Sequence, residues 1–279
     1  MSYNPNIPKD RYNNYGDREW TRLEKDSHGE LLYRVHLDIL NRFVKKEDRV
    51  LEIGAGSGRY TKDLVQICKS LTVGDISEHQ IEFNQSKMKE LSLFDKIDAF
   101  HVLDILDMSI FPDSTFDCVV CIGGVINYLL DKEKDGVQEM LRVLKPGGII
   151  ILGSMSFIGA SLYYLDGIRF EKEQFGLEAT KWLFDTGIQD EEHYPVPSKH
   201  YVHMMRSSQL DELFGLFPVN VIERSSAGLF SQAGDIALEN ARKDEEYWEL
   251  VVEKEIQFTK LQGTLDCGMN MIYVVQKQL

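Results

Sequence analysis

Val50-Leu-Glu-Ile-Gly-Ala-Gly-Ser-Gly-Arg59 is the stretch of this chain that decides its fold. Its apolar first half predicts a short strand over 49–53, and Gly54-Ala-Gly-Ser-Gly58 follows at once. Glycines in such a place permit a tight turn and a close approach of the backbone to a ligand. Side chains at steps of four over 60–68 then predict one face of a helix. The N-terminus of that helix offers free N–H groups to an anionic or polar ligand.

The alternation of strands and helices continues along the chain. A second predicted strand ends at Asp75, and Ser77 and Gln80 have the spacing of a capping box that begins the next helix. Further strands are predicted over 97–103, 116–122, 149–152, 219–223 and 269–275. Further helices are predicted over about 30–45, 137–144 and 243–258. This alternation predicts an α/β fold in which helices cover both faces of a parallel sheet.

The composition excludes several classes of protein. The 279 residues include 31 lysines and arginines and 45 aspartates and glutamates, so the formal charge is −14. This acid excess argues against nucleic acid as a partner, because phosphate backbones need clustered basic side chains. Hydrophobic residues at 43% and charged residues at 27% are ordinary values for a globular protein. The sequence has no apolar run of membrane-spanning length and no apolar signal core at its start, so we expect a cytoplasmic protein without a membrane partner.

Cys118 and Cys121 form a C-x-x-C pair, a spacing that also occurs in metal and redox sites. They lie in the apolar run 116–122, which predicts a buried strand, and residues three apart on a strand point to opposite faces. The two thiols therefore cannot share a metal ion, and we expect no metal site there. Four scattered cysteines are also too few for a disulfide framework in a chain of this size.

The glycine turn leaves two kinds of cofactor open. Asp75 follows Gly54 by 21 residues, and an acid at the end of that strand can accept hydrogen bonds from ribose hydroxyls. A dinucleotide fingerprint would have its third glycine at position 59, where this chain has Arg59. Glu52, two residues before the first glycine, also suits a cationic ligand better than a pyrophosphate. These residues disfavour a dinucleotide without excluding it.

Five motifs follow one another along residues 48–153: Val50-Leu-Glu-Ile-Gly-Ala-Gly-Ser-Gly-Arg59, Val73-Gly-Asp-Ile-Ser77, Val102-Leu-Asp-Ile105, Phe116-Asp-Cys-Val-Val120 and Arg142-Val-Leu-Lys-Pro-Gly-Gly148. In order and spacing they resemble the motifs of class I S-adenosylmethionine-dependent methyltransferases. The resemblance implies a Rossmann-like, doubly wound, seven-stranded and mostly parallel sheet. Its sixth and seventh strands would lie at one edge, and the last strand would be antiparallel.

The resemblance and the element pattern together divide the chain into four parts. We expect an N-terminal lid and helix over 1–47, where the segment 15–23 is similar to a lid of bacterial small-molecule members of the family. The cofactor-binding core would follow over 48–154, a substrate cap would be inserted at 155–205, and 206–279 would complete the core sheet. Aromatic residues are frequent in the cap, where they suit a partly apolar substrate or simply form the core of the cap itself.

The resemblance implies that the cofactor is S-adenosyl-L-methionine, with S-adenosyl-L-homocysteine as its product. The backbone of Gly54, Ala55 and Gly56 would approach the methionine end of this cofactor. Glu52 would lie near its ammonium group, and the backbone carbonyl of Cys121 would face the sulfonium.

At the nucleoside end, the resemblance assigns the ribose hydroxyls to Asp75 and the adenine ring to Ile76. Asp104 would accept a hydrogen bond from the adenine amino group, and Ile105 would pack beside it. Asp107 is close by in the sequence, and either acid could instead be a solvated loop residue.

The N-terminal segment and the cap are expected to contact the methyl acceptor. Tyr15 would close over the methyl group, with Tyr12 and Trp20 as alternatives, or these aromatic residues could lie on the surface. The cap holds three histidines, and paired or exposed histidines are more common than catalytic ones. They are His193, His200 and His203. No residue stands out as a general base, so the catalytic residues stay unassigned.

The function implied by the resemblance is methyl transfer from S-adenosylmethionine to a nitrogen or oxygen of a small molecule, a natural product or a peptide amine. Ile122-Gly-Gly-Val-Ile-Asn-Tyr128 lacks the Asn/Asp-Pro-Pro-Tyr signature of enzymes that methylate adenine or glutamine amino groups. Two alternatives stay open, a non-catalytic protein that binds S-adenosylmethionine and a nicotinamide-dependent oxidoreductase. The sequence does not indicate an oligomeric state.

Overall fold

The computed structural model of the chain describes residues 2–15, 18–21, 23, 25–195 and 201–279. The strands are β1 (Arg49–Ile53), β2 (Ser70–Asp75), β3 (Ala99–Val102), β4 (Phe116–Cys121), β5 (Leu144–Met155), β6 (Ile188–Gln189), β7 (Val202–His203), β8 (Val219–Ala227) and β9 (Asn270–Lys277). The α-helices are α1 (Asn6–Asn13), α2 (Arg18–Thr21), α3 (Ser27–Phe43), α4 (Thr61–Ile67), α5 (Glu78–Glu90), α6 (Glu133–Val143), α7 (Phe157–Tyr163), α8 (Leu165–Thr186), α9 (Ser207–Gly215), α10 (Asp235–Arg242) and α11 (Glu245–Phe258).

The seven longer strands form one sheet in the order β3-β2-β1-β4-β5-β9-β8. Neighbours from β3 to β5 pair in parallel, whereas β9 is antiparallel to both β5 and β8. The last strand is therefore inserted between β5 and β8 and runs against its neighbours. This confirms the predicted doubly wound, seven-stranded, mostly parallel sheet, with its last two strands at one edge.

Helices cover both faces of this sheet because its strands are apolar on both sides. In β4, Val119 and Cys121 pack into the core on the side of α6 and α9. Cys118 and Val120 pack on the opposite side, with α3, α4 and α5. The two thiols thus point to opposite faces, as the strand period predicts.

Local sequence signals set the ends of several helices. Ser77 precedes α5, and its hydroxyl accepts a hydrogen bond from the backbone N–H of Gln80 at 3.1 Å, which confirms Ser77 as the N-cap. The other half of the predicted capping box is replaced, because the N–H of Ser77 donates to Asp75. The helix before β5 ends at Val143, just before Lys145-Pro-Gly-Gly148, where the sequence predicts that it stops. The strand β5 nevertheless begins earlier than predicted, since Leu144 already pairs with β4 and residues 145–148 bulge out before the pairing resumes.

The segment between β5 and α9 contains α7, α8 and the short pair β6–β7. It has an apolar core of its own, to which Ile168, Leu183 and Val202 contribute, and Phe157 and Phe175 pack against that core. Part of the aromatic content of this segment is therefore explained by its own packing. None of the described helices is long and apolar enough to cross a membrane.

Candidate functional site

A cavity opens at the carboxyl ends of β1, β2 and β4, where the strand order reverses between β1 and β4. The crevice at such a switch point is where doubly wound sheets bind their ligands. This strand-end cavity is lined by residues 53–57, 59–60, 75–76, 103–105, 122–123, 125, 128–129, Tyr3, Pro8, Tyr12 and Leu23. The predicted contact residues found in this lining are Gly54, Ala55, Gly56, Asp75, Ile76, Asp104 and Ile105.

The glycine turn lies close against its surroundings. Gly54 has φ +69°, and a Cβ built there would lie 2.1 Å from Cγ2 of Val125. Gly58 has φ +93°, and its Cβ would lie 2.5 Å from Oδ1 of Asn84. A left-handed backbone with no room for a side chain requires glycine at both positions.

Asp75 is held in place by two backbone amides. Its Oδ2 accepts a hydrogen bond from the N–H of Gly56 at 2.8 Å, and its Oδ1 accepts one from the N–H of Ser77, also at 2.8 Å. The side chain is buried but borders the strand-end cavity. The carboxylate is therefore already oriented, and its oxygens keep the capacity to accept further hydrogen bonds from a ligand.

Asp104 shares its carboxylate with the N-terminal segment. Its Oδ2 accepts a hydrogen bond from the hydroxyl of Tyr3 at 3.0 Å, and its Oδ1 accepts one from the N–H of Leu106 at 2.9 Å. Burial, together with the charge of Asp104, raises the pKa of Tyr3, which keeps this hydroxyl protonated as a donor. The alternative acid Asp107 is bound by Ser109 outside the lining of this cavity.

Glu52 lies behind the glycine turn, outside the lining of the strand-end cavity. Its Oε2 accepts a hydrogen bond from the hydroxyl of Thr61 at 2.6 Å, and Nδ2 of Asn84 donates to that same hydroxyl oxygen at 3.0 Å. The side chain is fully buried, and burial, more than the nearby carboxylates, raises the pKa of Glu52 to about 8. Glu52 thus supports the turn from within the core, and its predicted contact with an ammonium group stays a prediction.

Cys121 and Tyr15 also lie outside the strand-end cavity. Burial raises the pKa of the Cys121 thiol to about 12, so that the thiol stays protonated at neutral pH. The lining begins with the next two residues, Ile122 and Gly123. Tyr15 lies instead in a second cavity. The contacts that the resemblance assigns to these two residues stay predictions.

The second cavity lies under the segment 155–205 and is larger, about 460 Å³ against about 100 Å³ for the first. This cap cavity is lined by residues of four helices, four strands and the segments that join them. The helices contribute Arg11 and Tyr12 from α1, His28, Leu32 and His36 from α3, and Ala160, Ser161, Gly167, Ile168, Glu171 and Leu183 from α7 and α8. The strands β5, β6, β7 and β9 contribute Met155, Gln189, Val202 and Asn270, and the connecting segments contribute Tyr15, Leu23, Tyr60, Gly123, Tyr128, Tyr164, Met204 and Met269. Most of these side chains are apolar or aromatic, as in pockets for small organic ligands.

The two cavities meet at a wall of shared residues. Leu23, Tyr60 and Gly123 line both cavities, and so do Tyr12 and Tyr128, whose hydroxyl oxygens lie 2.7 Å apart. The helix α1 is fixed across the strand-end cavity by this contact and by a hydrogen bond from the Gln80 side chain to the Tyr12 carbonyl. The arrangement allows a group bound in one cavity to react with a group bound in the other.

Sequence reasoning missed the histidines that line the cap cavity, His28 and His36, because both lie on α3, far from every motif. The histidines it considered are placed elsewhere. His203 pairs with Glu133 at 2.6 Å, and His193 is bound by Asp190 and stacks on a tryptophan. His200 lies outside the described residues.

The residues that line the strand-end cavity have the chemistry that the adenosyl cofactor implied by the motifs would need. Two oriented carboxylates, Asp75 and Asp104, lie at neighbouring strand ends, and the apolar residues that follow them in the chain, Ile76 and Ile105, line the same cavity. Gly123 has φ +95°, and a Cβ built there would meet no atom within 4 Å, so its backbone borders open space that a ligand can fill. Hydrogen-bond acceptors for a ribose beside an apolar slot for a base are the features that such a cofactor requires.

Comparisons with known proteins agree with this site. A family model described as a methyltransferase domain matches residues 50–148. The ubiquinone/menaquinone biosynthesis C-methyltransferase UbiE of Pasteurella multocida is 31% identical over 112 residues, which are 39% of this chain and 40% of that protein. The chain spans about two fifths of the length of the curated relatives that it matches.

Solved structures extend the likeness beyond the matched core. Phosphoethanolamine N-methyltransferase 1 of Haemonchus contortus, solved with phosphoethanolamine and S-adenosylhomocysteine, has a TM-score of 0.59 and 17% identity over 98% of this chain and 48% of that one. The putative methyltransferase in a complex with the Haloferax volcanii Trm112 methyltransferase activator has a TM-score of 0.59 and 18% identity, covering 97% of both chains. At these identities the likeness shows the fold.

Proposed function

We propose that the protein is a class I S-adenosylmethionine-dependent methyltransferase that transfers a methyl group to a nitrogen or oxygen of a small organic acceptor; the match of residues 50–148 to a methyltransferase domain supports this. The observation that carries this proposal is the meeting of two cavities at Tyr12 and Tyr128. One cavity has the acids and the glycine turn that suit the cofactor, and the other is roomy and mostly apolar. Two substrates could therefore lie on either side of this wall.

The chain's own residues would mainly bind and orient the reactants. When bound, S-adenosylmethionine supplies an electrophilic methyl group on a sulfonium that is a good leaving group. Asp75 would accept hydrogen bonds from the ribose, while the turn at Gly54 and Gly56 would receive the methionine end. Alignment of two reactants in one site can by itself supply much of the rate enhancement. The closed position of α1 and the apolar cap would also exclude water from the reacting groups.

The acceptor is proposed to be partly apolar. The cap cavity combines the aromatic rings of Tyr15 and Tyr164 with the apolar side chains of Ile168, Leu183 and Met204. Its polar groups are fewer, with Glu171 hydrogen-bonded to Gln189 at 2.9 Å. Such a lining suits a small molecule or natural product better than a nucleic acid, and the formal charge of −14 favours the same choice. A peptide amine is a further acceptor of this kind.

The cytoplasm is the proposed location. The four cysteines are Cys68, Cys118, Cys121 and Cys267, all within the described part of the chain, and all are free thiols. Reduced thiols are the usual state in that compartment.

Thermal unfolding with S-adenosylhomocysteine, S-adenosylmethionine or NAD tests the cofactor. A ligand of the native state raises the midpoint with its concentration, so the two adenosyl compounds should do so and NAD should not. Asp75→Asn removes one acceptor oxygen of a held carboxylate, and we expect the affinity for S-adenosylhomocysteine to fall by about 1–3 kcal/mol, roughly 5- to 150-fold. Asp107→Asn is the matched control, because Asp107 lies outside the cavity lining, and it should bind like the wild type.

Stabilisation by NAD alone would exclude the methyltransferase proposal, and an unchanged affinity in folded Asp75→Asn would remove Asp75 from the site. Transfer of a labelled methyl group to members of a panel of amines and phenols then separates an enzyme from a non-catalytic binding protein.

A further inference from the structure

We propose that His36 is the general base of the reaction and that the acceptor is therefore a hydroxyl compound of the phenol class. This inference rests on the proposed function, since it assigns a proton acceptor to the cap cavity of a methyltransferase. It goes beyond that function in naming one residue, one nitrogen atom and one class of acceptor.

The tautomer of His36 follows from its backbone contact. Nδ1 of His36 lies 2.7 Å from the carbonyl oxygen of Leu32, one turn earlier in α3. A carbonyl oxygen can only accept a hydrogen bond, so Nδ1 carries the proton and donates it. In the neutral ring of His36, Nε2 is then the nitrogen whose lone pair can accept a proton. Helix α3 thus holds the ring in the one tautomer that presents a basic nitrogen away from its own backbone.

His36 lies in the cap cavity next to Tyr60, a residue of the wall between the two cavities. The side chain is 5% exposed and lines the cap cavity. Its ring centroid lies 5.6 Å from that of Tyr60, which lines both cavities. A base at this wall is close to where an acceptor in the cap cavity would meet the methyl group, as general-base catalysis requires.

The tautomer of His28, the other histidine that lines the cap cavity, is not fixed by its hydrogen bond. Nδ1 of His28 lies 2.6 Å from the hydroxyl oxygen of Ser231, which can donate or accept, and the ring stacks on Tyr163 at a centroid distance of 4.5 Å. Neither tautomer of His28 is therefore selected by this contact. The difference makes His28 the natural comparison for His36 in an experiment.

The chemistry of the acceptor follows from the need for a base. A free amine attacks a methyl group with a lone pair it already has, whereas a hydroxyl group becomes a strong nucleophile only when it loses its proton. In the proposed step the O–H bond breaks and the proton goes to Nε2 of His36. The electron pair left on the oxygen forms the O–CH₃ bond, and the electron pair of the broken S–CH₃ bond stays with sulfur. The imidazolium then returns its proton to water, so atoms and charge balance.

The lining of the cap cavity also favours a phenol over an alkyl alcohol. The rings of Tyr164 and Tyr15 and the side chain of Ile168 offer flat and apolar surfaces to an aromatic ring. A phenol is moreover far more acidic than an alkyl alcohol, so that an imidazole can serve as its base.

The test uses 4-nitrophenol, a phenol whose ionised form absorbs visible light, with protein saturated by S-adenosylhomocysteine. Nitrogen NMR of ¹⁵N-histidine-labelled protein should show neutral His36 as the Nδ1–H tautomer, and the Nε2 signal should move towards the protonated position when 4-nitrophenol is added. The absorption band of the phenolate should grow in the same titration. His36→Asn keeps an amide N–H that can donate to the Leu32 carbonyl but has no basic nitrogen. In this variant we expect the absorbance of the bound phenolate to be at least tenfold lower than in the wild type. Its affinity for S-adenosylhomocysteine should equal that of the wild type.

The inference is overturned if the neutral ring is the Nε2–H tautomer, if 4-nitrophenol leaves the His36 signals unmoved, or if His36→Asn gives the wild-type band. If the phenolate band is lost in His28→Gln and kept in His36→Asn, the proton acceptor is His28, and the inference is overturned as well. Failure of the wild type to bind S-adenosylhomocysteine would instead contradict the proposed function, and the tautomer measurement is independent of that result.

Discussion

The strand-end cavity and the cap cavity are built in different ways. Most of the lining of the strand-end cavity comes from one continuous part of the chain, residues 53–129, and the N-terminal segment adds the rest. In this part, Asp75 is held by the backbone N–H groups of Gly56 and Ser77, and the glycine turn fits against Val125. The cap cavity brings together α1, α3, α7 and α8, which are far apart in the sequence. Two of its polar groups, His28 and Glu171, are bound by the side chains of Ser231 and Gln189, whereas His36 is bound by a backbone carbonyl.

This difference implies different sensitivities. A site fixed by backbone amides and by glycines without space for a Cβ tolerates few substitutions, and each one acts on stability and on cofactor affinity together. A cavity enclosed by side chains from separate helices can change its lining at small cost in stability. We therefore expect the effects of mutation to fall from the buried support of the glycine turn towards the wall between the two cavities.

Glu52 should give the largest effect, as a dependence of stability on pH. The pKa of Glu52 is about 8 in the folded protein against an ordinary value of 4.5. Below pH 4.5 the carboxyl group is protonated in both states, and between pH 4.5 and 8 only the folded state keeps the proton. Stability therefore falls as the pH rises through this window, by about 1.4 kcal/mol per pH unit and about 5 kcal/mol in all. Glu52→Gln stays neutral and should lack this contribution in urea unfolding at pH 5, 6, 7 and 8.

The difference between the two unfolding curves isolates Glu52 from the many other acids. Glu249→Gln is the matched control, because Glu249 is an exposed acid paired with Arg34, and it should keep the wild-type pH dependence. If wild type and Glu52→Gln differ by a constant amount at every pH, Glu52 is not a buried neutral carboxyl.

Gly54→Ala should give the next largest effect. The new Cβ would lie 2.1 Å from Cγ2 of Val125, and the residue would have to keep φ +69°. Overpacking and a left-handed alanine together cost about 2–4 kcal/mol of unfolding free energy. Gly215→Ala is the control, since no atom lies within 4 Å of its Cβ position and it ends α9. Chemical unfolding measures the loss of stability, and titration with S-adenosylhomocysteine measures the loss of cofactor affinity.

A second substitution separates the two causes of this loss. Val125→Ala removes the clashing methyl group, so the double variant Gly54→Ala/Val125→Ala should recover the steric share of the loss and keep the backbone share. Equal losses with and without Val125 would show that the contact does not limit the turn.

The sequence predicts where the strand-end residues lie because each one follows a strand at a fixed place in a repeated strand-turn-helix pattern. Gly54, Asp75 and Asp104 have their places because parallel strands end at one edge, and the structure confirms that edge and its strand order. Glu52 has a different place, since a single sequence does not show whether a side chain at the strand end faces the ligand or the core.

The cap half could not be predicted in the same way. His36 and Tyr60 line the cap cavity together because α3 packs next to the glycine turn. No local pattern in the sequence predicts that these two segments are in contact. Tyr3 could not be foreseen for the same reason, since its contact with Asp104 joins residues 101 positions apart. Contacts between separate segments depend on the whole fold, whereas periodicity and turn chemistry are local.

The wall between the cavities should give the smallest effect on stability. Tyr12→Phe or Tyr128→Phe removes one hydroxyl from the 2.7 Å contact and should cost about 0.5–1.5 kcal/mol of unfolding free energy. The two losses should not add, because either change breaks the same hydrogen bond, and a double-mutant cycle measures that coupling. Since α1 keeps the hydrogen bond from Gln80, we expect the helix to stay docked. The variants should nevertheless release S-adenosylhomocysteine faster than the wild type. Tyr247→Phe, at an exposed tyrosine of α11, should change neither quantity. Additive losses with an unchanged release rate would show that the wall is passive and that the two cavities are joined by packing alone.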